Sequence, residues 1–219
     1  MIIFLCFAKK YMAVNEFSGI ILAGGEAKRM GGAAKHLLKV GGKRIIERVL
    51  DVMRLFFDEI LIVANKKEPL LYLGLRVEED IIKDRGPLGG IYTGLKLMSK
   101  ERGFFVAADM PFLDEKLIGK IIEVAENFSC TVPIGSRGIE PLCGVYSQRM
   151  IEKIETMIAC GNLSARALIK NSSCNYVKLE KDEEPFLTNI NKPEDLKNCE
   201  LQREHFIRKP LDRQKEKRL

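Results

Sequence analysis

Apolar positions come in short unbroken runs separated by stretches with helical spacing, and this alternation predicts the fold class. Gly19 to Ala23 reads Gly-Ile-Ile-Leu-Ala and runs into Gly24-Gly25. A run that is apolar at every position, not at every second one, predicts a strand covered on both faces of a parallel sheet. Ile45, Ile46, Val49, Leu50 and Met53 then recur at the three-and-four interval of one helix face. Glu59 to Asn65 predicts a second buried strand, Gly89 to Ser99 a helix and Phe104 to Ala108 a third buried strand. Asp114 is expected to cap a helix carrying Leu117, Ile118, Ile121, Ile122 and Ala125.

The remainder is less regular. Thr131 to Ile134, Pro141 to Tyr146 and Tyr176 to Leu179 read as strands, with helices near Ser147 to Ile158, Ser164 to Lys170 and Pro193 to Leu201. Repeated strand-helix units imply an α/β chain with a mainly parallel central sheet and helices on both faces, a Rossmann-like three-layer sandwich. No repeat, low-complexity stretch or long linker divides it. The expected organisation is an extension over 1–17, one domain over 18–202 and a basic tail over 203–219.

Composition narrows the function classes. With 219 residues, 46% hydrophobic and 30% charged, the chain can bury a full core. The net charge is +6, but the tail from Arg203 holds seven Lys or Arg against three acids, so the body is close to neutral. That distribution argues against a nucleic-acid partner and makes the tail a solvated terminus. The apolar start, Met1 to Phe7, is far too short to span a bilayer, and Lys9 and Lys10 follow it where a signal peptide would place its charge first. Cysteines at 6, 130, 143, 160, 174 and 199 form no CxxC pair or zinc spacing, so reduced thiols and a cytoplasmic location are expected.

Candidate chemistry lies just beyond the strand ends, where open α/β sheets bind ligands. The segment from Leu22 to Lys35 carries glycines at 24, 25, 31 and 32 together with Arg29 and Lys35. Glycine backbone can turn its N–H groups inward around an anion, and two cations suit a triphosphate and a departing pyrophosphate. The spacing matches neither GxGxxG nor a P-loop. Asp109 closes the Phe104 strand ahead of Met110-Pro111. It can offer a hard oxygen to Mg²⁺ held by substrate phosphates, or serve as a turn residue. Asp84-Arg-Gly-Pro-Leu-Gly-Gly90, preceded by Asp80, can wrap a base or ribose, and Asn65 can read a purine edge or merely end its strand. Only His36 and His205 exist, neither placed as a metal ligand or beside a nucleophile. Phosphoryl electrostatics needs no nucleophilic side chain, because a substrate phosphate can attack in line.

These residues resemble the molybdenum cofactor guanylyltransferases, the MobA family. The likeness rests on Leu22-Ala-Gly-Gly, Arg29-Met-Gly-Gly, Lys35, Asp84-Arg-Gly-Pro-Leu-Gly-Gly, Asp109-Met-Pro, Glu140-Pro-Leu-Cys-Gly-Val-Tyr and Thr188-Asn-Ile-Asn-Lys-Pro-Glu-Asp-Leu, in that order. It runs from about residue 18 to about residue 197. The resemblance implies a nucleotide-diphospho-sugar transferase type of fold and transfer of GMP from GTP to the terminal phosphate of molybdopterin or Mo-molybdopterin, with release of pyrophosphate. It implies that Leu22, Ala23, Gly24, Gly25 and Lys35 bind GTP, that Asn65 and Asp80 lie near guanine and ribose, and that Asp109 holds Mg²⁺. Arg29, Lys35 and Asp109 would be catalytic, Asn189 and Asn191 would lie near the metal or the pterin phosphate, and Ser164 to Arg166 on the acceptor side. A monomer that meets molybdoenzymes or cofactor-insertion proteins is the corresponding expectation. Ala34 departs from the family, which usually has Asp before the lysine. Two other readings share these motifs: a related transferase with another base or acceptor (a cytidylyltransferase, or a sugar or lactyl phosphate guanylyltransferase), and a GTP-binding protein without turnover.

Overall fold

The computed structural model describes residues 16–24, 35–190 and 195. Its main sheet has eight strands: β1 (Phe17–Ala23), β4 (Ile60–Ala64), β5 (Arg76–Glu79), β6 (Arg102–Ala107), β7 (Cys130–Gly135), β8 (Gly138–Ile139), β9 (Cys143–Ser147) and β10 (Cys174–Lys178). Their order is β10-β7-β9-β6-β1-β4-β5, with β8 paired to β7. Short strands β2 (Lys39–Val40) and β3 (Lys43–Arg44) form a separate antiparallel ribbon. The helices are α1 (Ile45–Met53), α2 (Gly86–Leu97), α3 (Glu115–Glu123), α4 (Ile151–Ala159) and α5 (Ala165–Lys170).

The continuous apolar runs have the cause anticipated for them. Every residue of β1 and β4 is buried, because each face of the sheet meets its own helix layer. Ile21, Ile62, Phe104 and Val106 pack on one side against Ile46, Val49 and Met53 of α1 and Leu117, Ile118 and Ile121 of α3. Ile20, Leu22, Leu61, Val63 and Phe105 pack on the other against Leu88, Ile91 and Leu95 of α2 and the inner residues of α4 and α5. The period-two split of each strand thus builds two cores around one mainly parallel sheet, a Rossmann-like α/β sandwich.

Caps follow the sequence. The Asp114 carboxylate accepts from the Lys116 N–H at 2.8 Å, and the Ser164 hydroxyl accepts from the Ala167 N–H at 3.1 Å. These bonds satisfy donors that a helix start leaves orphaned. Helix α2 begins at Gly86, three residues before the expected Gly89, since Pro87 in the first turn lacks only an N–H that would have no helical partner. A Cβ on Gly94 in its middle would lie 2.5 Å from Phe105 Cε1 and 3.0 Å from Ile20 Cγ2. Glycine therefore sets how close α2 comes to the sheet.

Three elements differ from the expected pattern. β5 was not anticipated: only Val77 of its four residues is buried, as befits an edge strand. β9 starts at Cys143 instead of Pro141, because proline has no N–H for the ladder, and it runs antiparallel to both β6 and β7. The helix expected over 147–158 is a 3₁₀ turn, Gln148–Met150, followed by α4. The helix expected from Pro193 to Leu201 lies outside the described residues apart from Asp195.

Candidate active site

Strands β5, β4, β1 and β6 are mutually parallel and in step at their carboxyl ends: Ala64 pairs with Glu79, Ala23 with Ala64 and Leu22 with Ala107. The residues that follow these ends therefore share one edge. Gly24 follows β1, Asn65 follows β4, Asp80 follows β5, and Asp109 stands two places beyond β6. β1 is also where the strand order reverses, with β4 on one side and β6 on the other. Open α/β sheets bind ligands in the crevice at such a switch point.

Local contacts shape this half. A Cβ on Gly24 would come within 3.1 Å of Asn65 Oδ1, so the amide of Asn65 lies against the backbone at the end of β1. Asp80 is half-buried; the Thr93 hydroxyl donates to its Oδ1 at 3.4 Å and accepts from the Ile81 N–H at 3.0 Å. Burial pushes the Asp80 carboxyl above its usual pKa, and the Thr93 hydrogen bond opposes the shift. Gly90 lets α2 settle here, since a Cβ would lie 3.2 Å from Leu22 Cδ2 and 3.8 Å from Asp80 Oδ1. Asp84 and Gly86, at φ +59° and +56°, form the turn that starts the helix.

Asp109 sits where the two halves of the edge meet. The Ala108 N–H donates to the Leu22 carbonyl at 2.9 Å, which ties the turn after β6 to β1. Burial raises the Asp109 carboxyl above the ordinary carboxylate range, opposed by the Lys35 ammonium and by a backbone hydrogen bond of Asp109 itself. The Ile190 N–H donates to the Asp109 carbonyl at 3.1 Å, and this bond brings Asn189 alongside. The Asn189 amide donates to Glu140 Oε2 at 3.4 Å, while its own Oδ1 is buried with no hydrogen-bond partner among the described residues. Burial likewise raises the Glu140 carboxyl; the Leu142 N–H and the guanidinium groups of Arg166 and Arg137 oppose the shift, and the Asp109 carboxylate adds to it.

The edge continues past β6 into a pocket of about 170 Å³ whose polar lining includes Ser136, Arg137, Glu140, Arg166, Glu184 and Asn189. β7 and β10 run in the same direction as β6, with β9 reversed between β6 and β7. The β7–β8 turn and the residues entering β9 thus reach the same side as Asp109.

The structure places Leu22, Ala23, Gly24, Lys35, Asn65, Asp80, Asp109 and Asn189 along one edge. Gly25, Arg29, Ala34 and Asn191 lie outside the described residues. His36 is half-buried, and burial lowers its imidazole pKa. Glu140 was singled out by resemblance without a role, and Ser136, Arg137 and Glu184 were not singled out at all. Ser136 and Arg137 leave a trace in sequence as the Gly-Ser-Arg-Gly turn before Glu140-Pro141, whereas Glu184 has no local signal. Among the described residues no group of three or more His, Cys, Asp or Glu could hold a metal ion, and no helix is long and apolar enough to cross a membrane.

Comparison with known proteins identifies the family and the fold. The model of the MobA-like NTP transferase domain matches residues 19–177. A molybdenum cofactor guanylyltransferase of Desulfosudis oleivorans is 37% identical over 195 residues, covering 85% of this chain and 96% of that one. The molybdopterin-guanine dinucleotide biosynthesis protein A of Archaeoglobus fulgidus superposes with a TM-score of 0.72 at 22% identity, covering 86% of this chain and 100% of that one. A 4-diphosphocytidyl-2C-methyl-D-erythritol synthase of Anaerococcus prevotii gives 0.68 at 17% identity, covering 89% and 99%. At these identities the two structures speak for the fold alone, and the two proteins are named for different nucleotide bases, so the fold does not select the base. The sequence relationship is narrower, and with the family match over most of the described sheet it establishes that the chain belongs to the molybdenum cofactor guanylyltransferases, a family of nucleotidyltransferases built on the MobA-like NTP transferase domain.

Proposed function

We propose that this chain transfers GMP from GTP to the terminal phosphate of molybdopterin or Mo-molybdopterin, forming the guanine dinucleotide cofactor and pyrophosphate. The observation that carries the reading is the shared edge on which Gly24, Lys35, Asp109 and Asn189 meet, with Asn65 and Asp80 on one flank and a polar, arginine-lined pocket on the other. Asn65 and Asp80 would hold guanine and ribose. Leu22, Ala23, Gly24 and Gly25 would present backbone N–H groups to the triphosphate. Lys35 and Arg29 would carry the charge that develops on the leaving pyrophosphate.

The donor set suits a divalent cation. Asp109 supplies a hard oxygen, and the Asn189 Oδ1, buried without a partner among the described residues, would gain one from a cation. Such an orphaned oxygen otherwise costs about 1–3 kcal/mol. Mg²⁺ is commonly held by one or two protein oxygens plus substrate phosphates, so a site with few carboxylates is no obstacle. When bound, the ion would neutralise the α- and β-phosphate oxygens and polarise the α-phosphorus. Glu140 would hold Asn189 in place through its carboxylate, and Arg166 would draw the acceptor phosphate toward the in-line position.

The test is mass detection of the dinucleotide product from purified protein, Mg²⁺, molybdopterin and GTP, CTP or ATP in parallel. Product with GTP alone is expected. Product chiefly with CTP would make it a cytidylyltransferase, and GTP binding without pyrophosphate release would make it a binding protein.

A further inference from the structure

The β7–β8 turn is held by a side chain from elsewhere in the fold. Ile134 pairs with Ile139 and Gly135 with Gly138, so Ser136 and Arg137 form the tip. Neither has a positive φ, whereas the two-residue turns that best sustain a hairpin have one; only Gly138, at φ +93°, takes that conformation. The restraint comes from Glu184. Its Oε1 accepts from the Ser136 N–H at 2.7 Å and its Oε2 from the Ser136 hydroxyl at 2.6 Å. Gly135 permits the approach, since a Cβ there would lie 3.3 Å from Glu184 Oε1.

Glu184 is itself fixed. Its N–H donates to the Glu180 carbonyl at 3.3 Å, and the preceding Glu183 carboxylate pairs with Lys120 Nζ of α3 at 2.7 Å. The same segment leads on to Asn189 and the Ile190 bond to Asp109. One carboxylate therefore links the tip carrying Arg137 to the strand of backbone that reaches Asp109. Arg137 and Arg166 are exposed, line the same pocket and both act on the Glu140 carboxyl, so their guanidinium groups converge there. Two guanidiniums opening on one pocket fit a phosphate monoester, which accepts paired N–H donors.

We propose that Glu184 is a positioning residue for the acceptor: it clamps the β7–β8 hairpin so that Arg137, beside Arg166, contacts the acceptor's phosphate. This rests on reading the pocket as the acceptor side of the nucleotidyltransferase. It assigns Glu184 no contact with GTP, because Gly24, Asn65 and Asp80 lie across β6 and β9 from it.

The test measures binding of hydroxymethylpterin monophosphate by pterin fluorescence, binding of GTP by calorimetry, and the KM for molybdopterin. Arg137→Ala should weaken pterin phosphate binding about tenfold, the loss of one charged hydrogen bond. Glu184→Ala should weaken it comparably, the double variant no more than Arg137→Ala alone, and GTP affinity should stay within about twofold. Glu184→Gln, whose amide can still accept from the Ser136 N–H and pair with its hydroxyl, should stay within about threefold of wild type. In turnover the KM for molybdopterin should rise with kcat retained at saturation. Losses that multiply in the double variant, a parallel loss of GTP binding in Glu184→Ala, or no binding of the pterin phosphate to wild type would each overturn the proposal. Transfer of another base, with these acceptor-side effects intact, would instead remove guanylyl transfer and leave the clamp standing.

Discussion

Replacing Asp109 with Asn should stabilise the ligand-free protein near neutral pH and nearly abolish its turnover. Burial raises the Asp109 carboxyl in the fold, and the Lys35 ammonium only opposes that shift. In the window between the ordinary carboxylate range and the raised value, the folded state keeps a proton that the unfolded chain has released. The slope of stability with pH is then negative: this contribution is present at low pH and is lost as pH rises through the folded-state value. Across such a window the loss can reach about 1.4 kcal/mol per pH unit, and each kcal/mol is worth about 2–4 °C in Tm for a protein of this size. Asn does not titrate, so the Tm difference in favour of Asp109→Asn should widen as pH rises out of the ordinary carboxylate range. Glu140 carries the same sign of shift, part of it from the Asp109 carboxylate, so Asp109→Asn also relieves Glu140 and adds to the difference in the same direction. Turnover should move the other way. Removing one preorganised electrostatic partner of a phosphoryl group costs about 10²–10³-fold, or roughly 3–4 kcal/mol. Tm by differential scanning fluorimetry without nucleotide, beside product formation at saturating Mg²⁺, checks both signs. A Tm gap that stays constant with pH, or activity within tenfold of wild type, would refute the reasoning.

Lys35→Ala should lower kcat about a hundredfold with the fold intact by circular dichroism, because a leaving pyrophosphate loses its ammonium partner; an unchanged kcat would take Lys35 out of the reaction. Asn189→Ala should raise the Mg²⁺ concentration for half-maximal activity about tenfold or more, read from a metal titration, whereas an unshifted titration would leave Asn189 as a structural partner of Glu140. Gly94→Ala should destabilise by about 1–3 kcal/mol in urea unfolding: the added methyl would lie 2.5 Å from Phe105, which is wedged edge-on against Tyr146 at 5.4 Å between centroids. The helix-propensity gain of about 1 kcal/mol offsets only part of this, so a more stable variant would show that α2 shifts freely on the sheet.

What the amino-acid sequence determined by itself was whatever one local pattern could carry. Apolar at every position, Gly19–Ala23, Ile60–Ala64 and Phe104–Ala107 could only be strands buried on both faces, and three of them alternating with helices require a mainly parallel sheet. That sheet places the ends of β1 and β6 together, so the sequence already puts Gly24 and Asp109 on one edge. The residues after the strand ends also offered Lys35, Asn65 and Asp80, and the family motifs added Asn189. Tertiary structure alone decided what depends on partners distant in the chain. β5 has a single buried residue and forms because β4 offers it an open edge. The reversed direction of β9 follows from pairing with both β6 and β7, a choice that no short-range pattern encodes. The pocket beside the β7–β8 turn joins Ser136 to Glu184 and Glu140 to Asn189 across more than forty residues. Each of those side chains is an ordinary polar residue in its own neighbourhood, and only chain closure brings it to its partner and to the pocket.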